Sequence, residues 1–197
     1  MGGAQRDDDI WAAPAASGPV HARLAVPGSK SMTNRALILA ALASGPTRIT
    51  GPLRARDTGL MADAIAALGA DVRDSADRSG ADSGGADSGG ADWLVTPSWQ
   101  GGPATVEVGN AGTVIRFVPP IAALACGDVA FRGDPRASQR PVGPLLAALA
   151  QLGAVISDDG RRAIPFTVRG RGRVPGGTVS LDASGSSQLV SGLLLAA

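Results

Sequence analysis

The chain has no tyrosine, three phenylalanines and three tryptophans, so aromatic side chains make up 3% of its 197 residues. A core made from it cannot lean on large rings. It must be built from Ala-rich helices and from Val, Leu and Ile strands. Cysteine occurs once, at Cys126, which excludes an intrachain disulfide and a multi-cysteine metal cluster. Histidine occurs once, at His21, which removes a multi-histidine metal site. Glu107 is the only glutamate. The formal net charge of +1 gives no reason to expect nucleic acid or a membrane surface as partner. No apolar run is long enough to cross a bilayer, and residues 37–43 are too few and too far in for a secretory signal. The expectation is a cytoplasmic protein that uses neither metal nor cofactor.

Lysine is also nearly missing. Lys30 is the only one, and every other basic side chain is arginine. It sits in Pro27-Gly28-Ser29-Lys30-Ser31-Met32-Thr33-Asn34-Arg35, between an apolar stretch at 23–26 and an apolar helical pattern. A helix start has free N–H groups and positive dipole character, which favour anions. With Lys30 and Arg35 added, the segment reads as a phosphate or carboxylate site. The plainer reading is a capped helix carrying two solvated cations.

Along the chain, residues 1–20 read as a polar, Gly/Ala/Pro-rich tail, and 21–26 as a first strand. Periodicity predicts helices over 34–44, from an N-cap at Asp57-Thr58 to Leu68, over 114–126 with Cys126 buried, and from Pro141 to Leu152. Pro119-Pro120 is expected to bend or split the third of these. Strands are predicted at 47–50, 71–73, 93–95, 104–108, 129–131, 155–156, 166–168 and 178–181. Residues 79–92 repeat Ser-Gly-(Gly)-Ala-Asp and read as a flexible hairpin-loop insertion. Their aspartates lack the bidentate glutamate and the ligand density of a calcium loop.

The chain also repeats itself. Ala64-Ile65-Ala66-Ala67-Leu68-Gly69-Ala70 is echoed by Ala148-Leu149-Ala150-Gln151-Leu152-Gly153-Ala154. Each copy follows a strand, a small-residue turn and an apolar helix. The unit strand–turn–helix–strand–helix–strands occurs twice and begins a third time. Its turns are Gly28-Ser29-Lys30-Ser31, Asn110-Ala111-Gly112-Thr113 and Gly185-Ser186-Ser187-Gln188. Repeats pack as equivalent units, so three helix starts are expected to face one mouth.

Four segments together resemble the enolpyruvyl transferase family: PGSKSMTNRAL, GNAGTVIRF, the basic loop ending Arg140-Pro141, and SGSSQLVSGLLLA. The resemblance runs from about residue 20 to the end, in order and spacing, and points to the shikimate-pathway branch. It implies an α/β fold, the inside-out α/β barrel of repeated βαβαββ units, here with the third unit incomplete. It implies that residues 1–20 lead from the hinge or second-domain side, and that 21–197 form the first of two domains. It implies that the 5-hydroxyl of shikimate 3-phosphate adds to C2 of phosphoenolpyruvate and that phosphate is then lost. By the same resemblance Lys30, Ser31, Arg35, Ser186, Ser187 and Gln188 would hold shikimate 3-phosphate. Lys30, Asn110, Gly112, Thr113 and Arg140 would hold phosphoenolpyruvate, with Lys30 also the catalytic group. Arg116 matches the family's arginine in its helix and counts as support for the site. Phe117 stands where many members carry proline, a position tied to glyphosate tolerance.

The family's carboxylate acid and base lie in a second domain that has no counterpart here, and no metal or cofactor is implied. The chain breaks off at 193–197 inside an apolar helical run with no cap. The expectation is therefore the front part of a longer protein, monomeric when complete and inactive as this piece. Two other readings remain. One is the sister enzyme acting on UDP-N-acetylglucosamine, which carries Lys-Asn where Lys30-Ser31 stands and a cysteine in the loop before Arg140. The other is a ligand-binding fragment without catalysis. Asp57 reads as a cap, and Glu107, Asp182 and Ser184 as structural.

Overall fold

One helix, α3 (Gly112–Ala122), is buried from Thr113 to Ala122 without a break. Its sequence is apolar on every side but for Thr113 and Arg116, and such a helix has to be surrounded. The computed structural model describes residues 13–24, 26–75, 92–98 and 102–197. Around α3 pack α1 (Lys30–Leu42), α2 (Arg56–Ala67), α4 (Gly143–Gln151) and α5 (Gln188–Leu194). The strands lie outside this helical centre. They are β1 (Thr47–Ile49), β2 (Asp71–Ser75), β3 (Asp92–Thr96), β4 (Ala104–Glu107), β5 (Cys126–Arg132), β6 (Val155–Ser157) and β7 (Phe166–Arg171).

The fold is α/β with one antiparallel and one mixed sheet. The first sheet has the order β1-β3-β2, the second β4-β5-β7-β6. In the first, β3 runs antiparallel to both neighbours; in the second, β7 runs antiparallel to β5 and β6. The triplets β1-β3-β2 and β5-β7-β6 thus share one pairing scheme, each built from one copy of the sequence repeat. Only β4, parallel to β5, lacks a partner element in the first sheet among the described residues. Inward residues are apolar in both sheets, as with Val129, Phe131, Phe166 and Val168, and the Phe131 and Phe166 rings stack at 4.6 Å. Burying side chains of this size contributes about 1.5–3 kcal/mol each.

Several expectations are corrected. Residues 21–24 and 26 form no strand, and Val20, Leu24 and Val26 are 72%, 83% and 79% exposed. An extended segment becomes a strand only by pairing, and no neighbouring ladder receives this one. Residues 178–181 are likewise unpaired coil. Cys126 is exposed and opens β5, because α3 ends at Ala122 and a short turn separates the two. Pro119 and Pro120 do not split α3. They occupy its last turn, so the bonds lost are only those to the Ile115 and Arg116 carbonyls, near the end of the helix. Pro120 cannot donate to the Arg116 carbonyl, and Gly192 of α5 packs against that oxygen. The first turn of α4 holds Pro144 rather than Pro141. The repeats of 79–92 lie almost wholly outside the described residues, but the flanks Ser75 and Asp92 pair across β2 and β3.

Candidate active site

The N-cap of α1 is Ser29, whose hydroxyl accepts the Met32 N–H at 3.4 Å. Just before it, Gly28 lies against the chain at 51–53. A Cβ there would come within 2.8 Å of the Gly51 carbonyl and 3.0 Å of the Leu53 nitrogen. Leu53 in turn donates to Thr33 Oγ1 at 3.0 Å. The start of α1 is therefore clamped to the approach of α2, and Lys30 is aimed by backbone rather than by side-chain choice.

Asp57 is not the cap of α2. The cap position is Ala55, and Thr58 Oγ1 accepts the Ala55 N–H at 3.0 Å while donating to the Leu53 carbonyl at 2.7 Å. That leaves the Asp57 carboxylate free to reach across to Lys30, 2.9 Å away.

The starts of α1, α2, α3 and α5, with Arg140 three residues ahead of α4, border one cleft of about 280 Å³. Its lining is Lys30, Asp57, Gly112, Thr113, Arg116, Arg140, Ser186 and Gln188. The three turns of the repeat do converge. Six of the ten sequence-nominated residues line the cleft: Lys30, Gly112, Thr113, Arg140, Ser186 and Gln188.

The other four sit behind it. Asn110 Oδ1 accepts from Arg140 Nε at 2.6 Å, which fixes that guanidinium and leaves its two terminal nitrogens for the cleft. Arg35 donates to Ser31 Oγ at 2.7 Å and to Ser191 Oγ at 3.4 Å, and lies 5.0 Å from the Phe117 ring centroid. Ser31 and Arg35 thus hold each other. Ser187 accepts the Ser191 N–H at 3.0 Å and starts α5.

Two lining residues carry more than sequence reasoning gave them. Asp57 shows only as an acid in a helix's first turn, an ordinary place for one. Arg116 was legible as support, not as lining. It is 6% exposed and donates to Gln188 Oε1 at 3.0 Å and to the Gly112 and Pro141 carbonyls at 3.3 Å. All three acceptors are neutral. Burial, and then the nearby Arg140 charge, hold its pKa below the usual guanidinium value. The Arg140 side chain likewise has only the neutral Asn110 as hydrogen-bond partner among the described residues. Against Lys30, Arg116 and Arg140 the cleft sets a single carboxylate among the described residues, Asp57.

Gly112 makes room for this. A Cβ there would lie 2.9 Å from Arg116 Nη1 and 3.1 Å from Arg140 Nη1. The first N–H groups of α3 have no acceptor within the helix. Free N–H groups, two guanidinium groups and hydroxyls around a small cleft suit a compact multivalent anion. Away from it, Glu107 accepts the Gly109 N–H at 2.8 Å and Asp182 the Ser184 N–H at 2.9 Å, both structural turns as expected.

Comparison with known proteins matches this arrangement to one family. The family model described as EPSP synthase (3-phosphoshikimate 1-carboxyvinyltransferase) matches residues 14–197. A 3-phosphoshikimate 1-carboxyvinyltransferase of Kocuria rhizophila is 51% identical over 195 residues, covering 96% of this chain and 42% of that relative. Two solved structures of EPSP synthase from Acinetobacter baumannii each superpose with a TM-score of 0.71 at 26% identity. Each comparison covers 88% of this chain and 37% of the other. The chain thus spans less than half the length of these relatives. Among the described residues, no helix is long and apolar enough to cross a membrane.

Proposed function

The chain belongs to the EPSP synthase family, and we propose that its cleft is one side of a site for enolpyruvyl transfer. The reaction is attack of the shikimate 3-phosphate 5-hydroxyl, which gives up its proton, on C2 of phosphoenolpyruvate, with a proton added at C3, followed by elimination of phosphate together with a proton from C3. The product is the enolpyruvyl ether. The observation that carries this reading is the uncompensated charge of Arg116 and Arg140. A buried guanidinium held only by neutral oxygens calls for an anion, and both substrates are polyanions.

In this reading Lys30, Gly112, Thr113 and Arg140 take phosphoenolpyruvate, with Asn110 orienting Arg140. Ser186, Ser187, Gln188, Ser31 and Arg35 take the phosphate and hydroxyls of shikimate 3-phosphate. Lys30 bridges the two and is the catalytic cation. It must part from Asp57, or share it, when phosphoenolpyruvate arrives. Fixed cations and N–H groups stabilise charge that moves from enol phosphate to leaving phosphate, and they need no reorganisation to do so. The general acid and base are assigned to a second domain, residues 21–197 forming the first. The buried helices with outer strands fit the inside-out α/β barrel of two such domains. The complete protein is proposed to be a cytoplasmic monomer that closes over its small-molecule substrates.

Calorimetry with shikimate 3-phosphate and with UDP-N-acetylglucosamine tests the reading. Saturable binding of shikimate 3-phosphate, weakened by Arg35→Ala, supports it. Binding of the uridine nucleotide sugar alone transfers the chain to the sister activity.

A further inference from the structure

We propose that Asn34 is a positioning residue that turns the Thr113 hydroxyl proton into the cleft, toward the anion bound there. This rests on reading the cleft as the phosphoenolpyruvate site.

Asn34 is wholly buried in α1, and its Nδ2 donates to Thr113 Oγ1 at 2.5 Å. Thr113 is 5% exposed and lines the cleft. A threonine hydroxyl has one proton to give and two lone pairs. Asn34 takes a lone pair, so the proton stays available. Among the described residues no acceptor takes that proton: Thr113 is the second residue of α3, so the carbonyl four residues back is that of Gly109, outside the helix, and it accepts the Asp134 N–H. The hydroxyl is left as an unspent donor in a cleft whose other groups also attract anions.

The cost of this arrangement is visible. Asn34 Oδ1 is buried with no hydrogen-bond partner among the described residues. An orphaned buried acceptor is destabilising, and an apolar side chain of similar shape would be easier to bury there. The opposite amide orientation would accept from Thr113, consume its proton, and strand two N–H donors, where the orientation seen strands one N–H and one oxygen. Asn34 therefore makes poor sense as packing and good sense as a device that fixes the polarity of one hydroxyl.

The test is calorimetric titration of the chain with phosphoenolpyruvate in the presence of shikimate 3-phosphate, each variant compared with the parent at the same pH. Asn34→Asp keeps the shape. Ionised, the new carboxylate can only accept, so it captures the Thr113 proton. At about pH 8 it is expected to weaken phosphoenolpyruvate by about tenfold. A carboxyl so buried titrates upward. Toward about pH 5.5 it should protonate, donate again, and recover affinity relative to the parent. In a Thr113→Val background the same substitution should neither weaken binding nor recover with acid. An equal loss, or an equal acid recovery, in the Thr113→Val background overturns the inference. It would show that charge alone acts. If Asn34→Asp does not fold, Asn34→Ala and Thr113→Val form the cycle. Losses no larger together than singly support the coupling; losses that multiply overturn it. A parent chain that binds neither ligand overturns both this inference and the reading it rests on. A parent that binds, with variants acting independently, overturns this inference alone.

Discussion

Arg116 on α3 donates to the side-chain oxygen of Gln188 on α5 at 3.0 Å, while Gly192, one turn further along α5, lies on the Arg116 backbone carbonyl. The same residue of α3 therefore anchors α5 twice, once through its side chain and once through its main chain.

Gly192→Ala follows from this contact. Helix propensity alone would make alanine more stable by about 1 kcal/mol. Here the added methyl meets backbone, which has no flexible end to swing away. Overpacking of this kind costs about 1–3 kcal/mol. The expected result is net destabilisation in chemical denaturation, with the sign opposite to propensity. An unchanged or raised midpoint would show that α5 does not sit on α3 as described.

Gly112→Ala should behave in the other way. Its methyl would meet the ends of two arginine side chains, at 2.9 and 3.1 Å, and those ends can move. Unfolding should change by less than about 1 kcal/mol, because alanine is well tolerated in a helix's first turn. Phosphoenolpyruvate affinity should fall by about tenfold or more, because both guanidinium groups are pushed from the position that serves the ligand. Calorimetry beside a thermal melt separates the two effects.

Lys30→Met, made in the complete protein, should abolish turnover and leave the fold intact. The Lys30–Asp57 pair is 2.9 Å long, but the lysine side chain is 52% exposed. An ion pair so open to water contributes less than about 1 kcal/mol. A near-normal rate would remove Lys30 from the chemistry, and a collapsed fold would make the pair structural.

Asp57→Asn takes away the only carboxylate in the cleft among the described residues. Inorganic phosphate should then bind the chain several-fold tighter at low ionic strength, and the gain should shrink as salt screens it. Weaker phosphate binding would mean that Asp57 holds Lys30 in place rather than competing for it.

Much of this was legible before any coordinates. The repeated pattern of strand, small-residue turn and apolar helix gave the element order, and Lys30, Gly112 and Gln188 marked the convergent turns. What stayed hidden has physical causes. An apolar run such as 21–26 signals a strand, but pairing is a property of the neighbour, not of the run. Asp57 carries the same local signal whether it caps a helix or reaches another element, and Thr58 took the capping role by position. Arg116 reads as an ordinary cation in an apolar helix. Only burial among neutral oxygens reveals it as charge without a counter-ion. Asn34 gave no signal at all, because a lone asparagine in a first turn is commonplace.

The pairing of Ser75 with Asp92 has a consequence of its own. Once β2 and β3 are zipped to that point, the ends of the intervening chain are held together whatever path residues 76–91 take. Loop closure then grows only logarithmically with length, by about 0.6 kcal/mol per doubling. The Ser-Gly-Ala-Asp repeats can accordingly gain or lose copies at almost no thermodynamic expense to the sheet. The stretch between Ser75 and Asp92 is thus a neutral place for length drift, and an insertion point for a tag or a reporter that leaves the β2–β3 pairing untouched.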